Sequence, residues 1–191
     1  FKEVIQNRFG LARSEYEDIR PNPFNCSSQE ILNSIKNPYL IEIVKSRYKS
    51  QIHRFANVER IRVQKFDTSG NVVGEYRFVG LFTSSVYYQS ASLIPIIRRK
   101  IGRIILESGF VKGSHNAKDL VSILESYPRD ELFQIEYEDL FRIAMGIVAI
   151  SGRSVVRFFS RNDKFNRFVS CLVFIPRDCF NTALREKVQS A

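Results

Sequence analysis

The sequence contains no tryptophan, which by itself says little, and only two histidines, three cysteines and nine glycines among 191 residues, scarcities that each remove a class of chemistry. His53 and His115 have no second histidine, cysteine or carboxylate at metal-ligand spacing, so no metal site is expected. Cys26, Cys171 and Cys179 form neither a CxxC pair nor an even framework, which fits inert thiols in a reducing, cytoplasmic setting. Gly70, Gly74 and Gly80 match neither GxGxxG nor GxxxxGK[ST], so the backbone offers no cradle for a dinucleotide or triphosphate, and no bound cofactor is expected. There is no GxSxG elbow for an activated serine, and no catalytic residue is assigned. No apolar run approaches the roughly 20 residues that span a bilayer, and no signal peptide opens the chain, so a membrane partner is not expected.

What is present is an ordinary globular balance, 44% hydrophobic and 26% charged, with 16 Phe and 8 Tyr that argue against disorder. The unusual bulk property is a net charge of +9. A basic balance marks either a polyanionic partner or one half of a protein interface. Arg98, Arg99, Lys100 and Arg103, with Arg60 and Arg62 on a strand, form the candidate phosphate-contacting set, and Tyr76, Phe78 and Phe82 the candidate stacking set. The competing reading of solvated faces is preferred, and a basic nucleic-acid-binding module is kept as the alternative. Around Lys45, Arg47 and Lys49, the pair His53 and Arg54 completes a cluster that suits an anionic effector through charge-assisted hydrogen bonds; Arg47, His53 and Arg54 are the candidate site residues. The pairs Asp130-Glu131 and Glu138-Asp139 fall at expected element starts, where capping and the helix dipole account for them. A start at Phe1 rather than Met and a stop directly after a helical pattern lead us to expect a piece of a longer chain.

Residues 1–38 show no clean period, and Pro21-Asn22-Pro23 marks a loop. Strands are expected at Leu40 to Val44 and at Val58 to Phe66, where Ile61, Val63 and Lys65 alternate with Arg60, Arg62 and Gln64. Asp67 to Asn71 carries turn chemistry before a second aromatic-rich strand run to Ser84, which predicts a hairpin. The period then changes. Ile94, Ile97, Ile101, Ile104 and Ile105 place one apolar stripe on a helix ending near Gly109, with Pro95 in its first turn. Asn116 and Asp119 are expected to cap a second helix through Leu124 that Pro128 closes. Then come a strand at Glu131 to Ile135, a helix carrying Leu140, Ile143, Ala144, Ile147 and Val148, and strands at Val155 to Phe159 and Phe168 to Ile175. A last helix is expected from Asn181. From Glu131 this is a βαββα order, a βαββαβ module without its final strand. Its first strand would leave a bare edge, which is expected to be covered by the N-terminal module or by a neighbouring molecule.

Blocks along the chain carry a resemblance. Ile52-His53-Arg54, the hairpin Val63 to Glu75, and Arg77 to Ser84 are similar to consecutive stretches of the large bacterial NAD-specific glutamate dehydrogenases. So are Ile94-Pro95 to Lys100, Glu125 to Ile135, Val156 to Phe159 and Phe168 to Asp178, in the same order. The resemblance covers roughly Tyr39 to Arg185. It implies an α+β chain, with an antiparallel PAS-like sheet module over 1–113, a connecting helix over 114–127 and a truncated ACT-like module over 128–191. It implies a non-catalytic regulatory or assembly segment, with no cofactor of its own. The catalytic domain that binds NAD and oxidatively deaminates L-glutamate to 2-oxoglutarate and ammonia would lie elsewhere in the parent. The implied partners are the remaining domains of that parent in a homo-oligomer. The turn expected after the first ACT-like strand, Gln134 to Glu138, has no glycine and two carboxylates, which favours a structural or oligomer-contact role over amino-acid binding.

Overall fold

The computed structural model describes residues 39–50, 55–163 and 168–190, and the chain divides into two compact units, Phe1–Ser85 and Val86–Ala191. This division falls well before residue 113, and the isoleucine-striped helix belongs to the second unit rather than to the sheet.

In the first unit the strands β1 (Ile41–Lys49), β2 (Asn57–Phe66) and β3 (Val72–Gly80) form an antiparallel sheet in the order β1-β2-β3. The predicted hairpin is present, and its turn is built by Asp67. One carboxylate oxygen accepts from Ser69 N at 2.9 Å and from Asn71 N at 2.8 Å, while Gly70 takes φ 84°, a conformation open to glycine. The alternation of β2 is as expected, but burial follows the charged face. Arg62 and Gln64 are 8% and 5% exposed, whereas Tyr76 and Phe78, cross-strand from Val63 and Ile61, are 52% and 57% exposed. Ion pairing makes that burial tolerable, since Arg62 lies 2.8 Å from Glu42 and 3.8 Å from Glu75, and Arg77 also pairs with Glu75.

The second unit is mainly helical. Helix α1 (Ser84–Tyr88) runs across the division, and a 3-10 turn (Ala91–Leu93) leads to α2 (Ile97–Glu107). Then follow α3 (His115–Ser126), α4 (Arg129–Gln134), α5 (Tyr137–Ile150), the strands β4 (Arg157–Asn162) and β5 (Val169–Phe174), and α6 (Thr182–Ser190). The stripes predicted from periodicity form one core, with Ile97, Ile104, Leu120, Leu124, Leu132 and Leu140 fully buried. Ile105 departs from its stripe and is 37% exposed. Pro95 precedes α2 rather than entering it: Ile97 N donates to Pro95 O at 2.9 Å across Ile96, which stands at φ 72°, so a γ-turn starts the helix. Helix α3 is capped not by Asn116 but by Ser114, whose Oγ accepts from Ala117 N at 3.2 Å, and Asp119 instead accepts from Ser151 Oγ at 3.0 Å. Asn181 starts α6 as expected, its side chain accepting from Leu184 N at 2.8 Å.

The strand expected at the start of the ACT-like module is overturned as well. Glu131 to Ile135 is not a strand, because Arg129–Gln134 is helix α4, with Leu132 N donating to Pro128 O at 3.0 Å and Ile135 N to Glu131 O at 2.8 Å. The physical reason lies in the residues: Pro128 precedes the first turn, Asp130 and Glu131 complement the positive helix end, and Leu132 and Ile135, three apart, are both buried. The βαββα order from Glu131 therefore fails, and with it the expected bare strand edge. From Arg129 the order is helix, helix, strand, strand, helix.

Candidate functional site

The anionic-effector cluster suggested by the sequence cannot be assembled from the described residues: His53 and Arg54 lie outside them, and Arg47 stands in β1 with its side chain likewise outside. The basic run at α2 separates. Arg98 and Arg99 are exposed, Arg103 pairs with Glu107 at 2.8 Å and lies 3.8 Å from the Tyr137 ring centre, and Lys100 turns inward. In the three-stranded sheet the basic and aromatic candidates occupy opposite faces. Arg62 and Arg77 are cross-strand partners on one face, and Tyr76 and Phe78 are in register with Val63 and Ile61 on the other. Among the described residues, no group of three or more His, Cys, Asp or Glu is placed to hold a metal ion.

What the structure does assemble is a junction around the short helix α4. Tyr87 Oη donates to Asp130 Oδ1 at 2.8 Å. Lys100 Nζ donates to the carbonyls of Leu132 at 2.8 Å and Ile135 at 2.6 Å, closing the carbonyl end of the helix. Arg161, at the end of β4, places Nη2 at 2.7 Å and Nε at 3.1 Å from Glu131 Oε2, and donates through Nη1 to Asn162 O at 3.1 Å. Burial pushes Lys100 down to about 8; the charge of Glu136 opposes this shift and that of Arg161 adds to it. Burial also pushes the nearby Tyr127 hydroxyl up to about 12, with Glu131 contributing.

The β4–β5 hairpin is seated on this junction by shape as well as charge. Its inward residues Phe159, Leu172 and Phe174 pack on the helical core, and Phe159 and Phe174 meet edge to face with ring centres 5.8 Å apart. Gly146 of α5 makes the room: a Cβ there would fall 2.7 Å from Phe159 Cε1. The outward face, with Phe158 opposite Val173, is exposed. In the last turn of α3, Glu125 caps the 3-10 turn, accepting from Ser90 Oγ at 2.7 Å, Ala91 N at 2.7 Å and Ser92 N at 3.1 Å. Partial burial works against its ionisation, yet these donors, Ser90 foremost, bring it down to about 2.

Lys100 was read in the sequence as a member of a basic run, and Arg161 fell between the two strands expected at Val155 to Phe159 and Phe168 to Ile175. Their spacing held the signal: Lys100 lies three residues after Ile97 and four before Ile104, on the border of the stripe, and Arg161 is two residues beyond inward-facing Phe159.

A helical layer carrying a docked β-hairpin, with a further helix after it, is the class these elements define, and comparison with known proteins gives its family. The profile described as "Glutamate dehydrogenase, helical motif 1" matches residues 94–153, and "Glutamate dehydrogenase, ACT2 domain" matches residues 157–191. The NAD-specific glutamate dehydrogenase of Halomonas elongata is 46% identical over 152 residues, 80% of this chain and 9% of that protein. That of Pseudomonas aeruginosa is 41% identical over 155 residues, 81% of this chain and 10% of its own length. The Mycobacterium tuberculosis enzyme is 33% identical over 146 residues, 76% of this chain and 9% of its own length. The chain thus spans about a tenth of the length of the curated relatives it matches. It belongs to the NAD-specific glutamate dehydrogenase family as a segment holding helical motif 1 and ACT2 sequence. The ACT2 match begins at the β4–β5 hairpin, later than the 128 expected from the sequence, and α4 and α5 belong to the helical motif.

Proposed function

We propose that this chain is a non-catalytic regulatory and assembly segment of an NAD-specific glutamate dehydrogenase. The whole protein would oxidatively deaminate L-glutamate to 2-oxoglutarate and ammonia with NAD, in the cytoplasm and as a homo-oligomer. The observation that carries this reading is the fusion of helical-motif and ACT2 sequence into one core, through Phe159 over Gly146 and Arg161 on Glu131. A junction packed and ion-paired in this way supports a structural role for these residues. The glycines of the β2–β3 hairpin sit in turn and strand positions, not before a helix where amides converge on phosphate. The separation of basic and aromatic residues onto opposite sheet faces, with Arg62 and Arg77 spent on carboxylates, supports this reading over a nucleic-acid-binding module.

The test has two arms. Calorimetry of the isolated chain with NAD should show no binding, and micromolar affinity would overturn the non-catalytic reading. In the full-length parent, Gly146→Val should change oligomer mass or the response to effectors. Unchanged assembly and regulation in that variant would overturn the regulatory reading.

A further inference from the structure

The chain enters the second unit through a segment that is held down from outside itself. Between the division at Ser85 and Val86 and the first residue of α2, residues 86–96 put few apolar groups into the core. Val86 packs on it, and Ala91 and Ile94 are 0% and 5% exposed, while Tyr88 and Leu93 stand out at 89% and 61%. The rest of the hold is polar and comes from the corner between α3 and α4. Tyr87 Oη donates to Asp130 at 2.8 Å, Gln89 O accepts from Arg129 Nη2 at 3.3 Å, and Glu125 accepts from Ser90 Oγ, Ala91 N and Ser92 N. A segment with a small apolar footing and side-chain bonds near the surface opens at lower cost than the helices beneath it.

At the far end of the same segment the backbone is strained. Among the described residues Ile96 is the one non-glycine residue with positive φ. Its φ of 72° and ψ of −58° make the rare form of γ-turn, closed by Ile97 N donating to Pro95 O at 2.9 Å. A β-branched residue takes that conformation only where its surroundings dictate it. Here they do, because Ile94 is buried on one side of the turn and Ile97 is fully buried on the other. The local sequence has a relaxed alternative, since Pro95 suits the first position of a helix in which Ile96 takes an ordinary helical φ. We propose that residues 86–96 are a spring-loaded strap: Glu125, Arg129 and Asp130 latch it to the corner of α3 and α4, and the turn at Ile96 stores the strain that favours its release. When the latch breaks, Ile94 leaves the core, Ile96 relaxes, and the connection from the sheet unit into the helices lengthens by the residues set free. This strap is a property of the second unit and does not depend on the catalytic reading of the parent.

Hydrogen exchange of the whole chain, followed amide by amide and corrected for intrinsic rates, tests both the latch and the spring. Ala91 to Ile94 should open together, at a lower cost than Leu120 to Leu124 in α3. Tyr87→Phe removes one latch bond several residues away from these amides and should speed their exchange about fivefold while leaving α3 unchanged. The spring is read by comparing Ile96→Ala with Ile96→Gly. Both remove the isoleucine branches, but only glycine takes positive φ freely, so the strap amides should exchange about fivefold more slowly in Ile96→Gly than in Ile96→Ala. At an unstrained position the order is reversed, because glycine gives the open chain more freedom. The proposal is overturned if Tyr87→Phe leaves Ala91 to Ile94 at their original rates, if these amides exchange as fast in Ile96→Gly as in Ile96→Ala or faster, or if the strap opens only together with α3.

Discussion

The ring of Phe159 occupies the space that a side chain at position 146 would fill: a Cβ on Gly146 would fall 2.7 Å from Phe159 Cε1 and 3.0 Å from Cζ. Glycine inside a helix ordinarily costs about 1 kcal/mol relative to alanine. At this position the notch it leaves is where the hairpin seats, so the helix gives up propensity in exchange for a close docking surface.

Gly146→Ala should therefore destabilise the chain, with overpacking of about 1–3 kcal/mol exceeding the propensity gain. In a Phe159→Leu background the clash is relieved and the same change should become neutral or stabilising. Denaturant unfolding of the four proteins reads the reversal of sign. An equal stabilisation in both backgrounds would show that the notch plays no part in docking.

The Arg161–Glu131 pair should behave as a buried unit, since the two side chains are 6% and 15% exposed. Removing one partner by Arg161→Met or Glu131→Gln should each cost about 3–5 kcal/mol, because the remaining charge is left buried without its partner. The double variant should be more stable than either single one. A double-mutant cycle with additive costs would show that the two groups do not interact energetically.

How much of this was legible beforehand depended on which force decides each element. The hairpin β2–β3 was readable because Asp67 and Gly70 sit together in one turn and meet its needs locally. The stripes of α2 and α5 were readable because Ile97, Ile101, Ile104 and Leu140, Ile143, Ile147 repeat at helical period. Helix α4 was misread because six residues are too few to show a period, and Leu132-Phe133-Gln134-Ile135 is short and apolar enough to pass for a strand. The junction was not readable at all, because Lys100 and Arg161 take their meaning from Ile135 and Glu131, more than a helix length away in sequence. Burial of the charged sheet face was missed for the same reason: Glu42, Arg62 and Glu75 come from three different strands.

The cap of α3 separates two readings of a single stretch of sequence. Ser114→Ala should cost about 1 kcal/mol, as removal of a side-chain oxygen from an N-cap does, whereas Asn116→Ala, inside the helix, should be neutral or slightly stabilising. Thermal unfolding of the two variants checks it, and a larger loss at Asn116 would return the cap to that residue.

Acid should weaken the chain through Glu125 in a defined window. Its carboxylate holds the 3-10 turn through Ser90 Oγ, Ala91 N and Ser92 N, and its folded-state pKa is lowered from 4.5 to about 2. A carboxyl whose folded value lies below its unfolded value binds fewer protons in the native state. Its contribution is therefore complete above the unfolded value, declines as pH falls through it, and is gone below the folded one. Stability should thus fall between about pH 4.5 and about pH 2 by an amount that Glu125→Gln removes. The glutamine can still accept hydrogen bonds from the turn but cannot take up a proton, so the variant separates titration from loss of the cap. Urea midpoints of both proteins measured across this window decide the matter: parallel curves would mean that Glu125 does not supply the acid sensitivity, and a flatter curve for the variant would mean that it does.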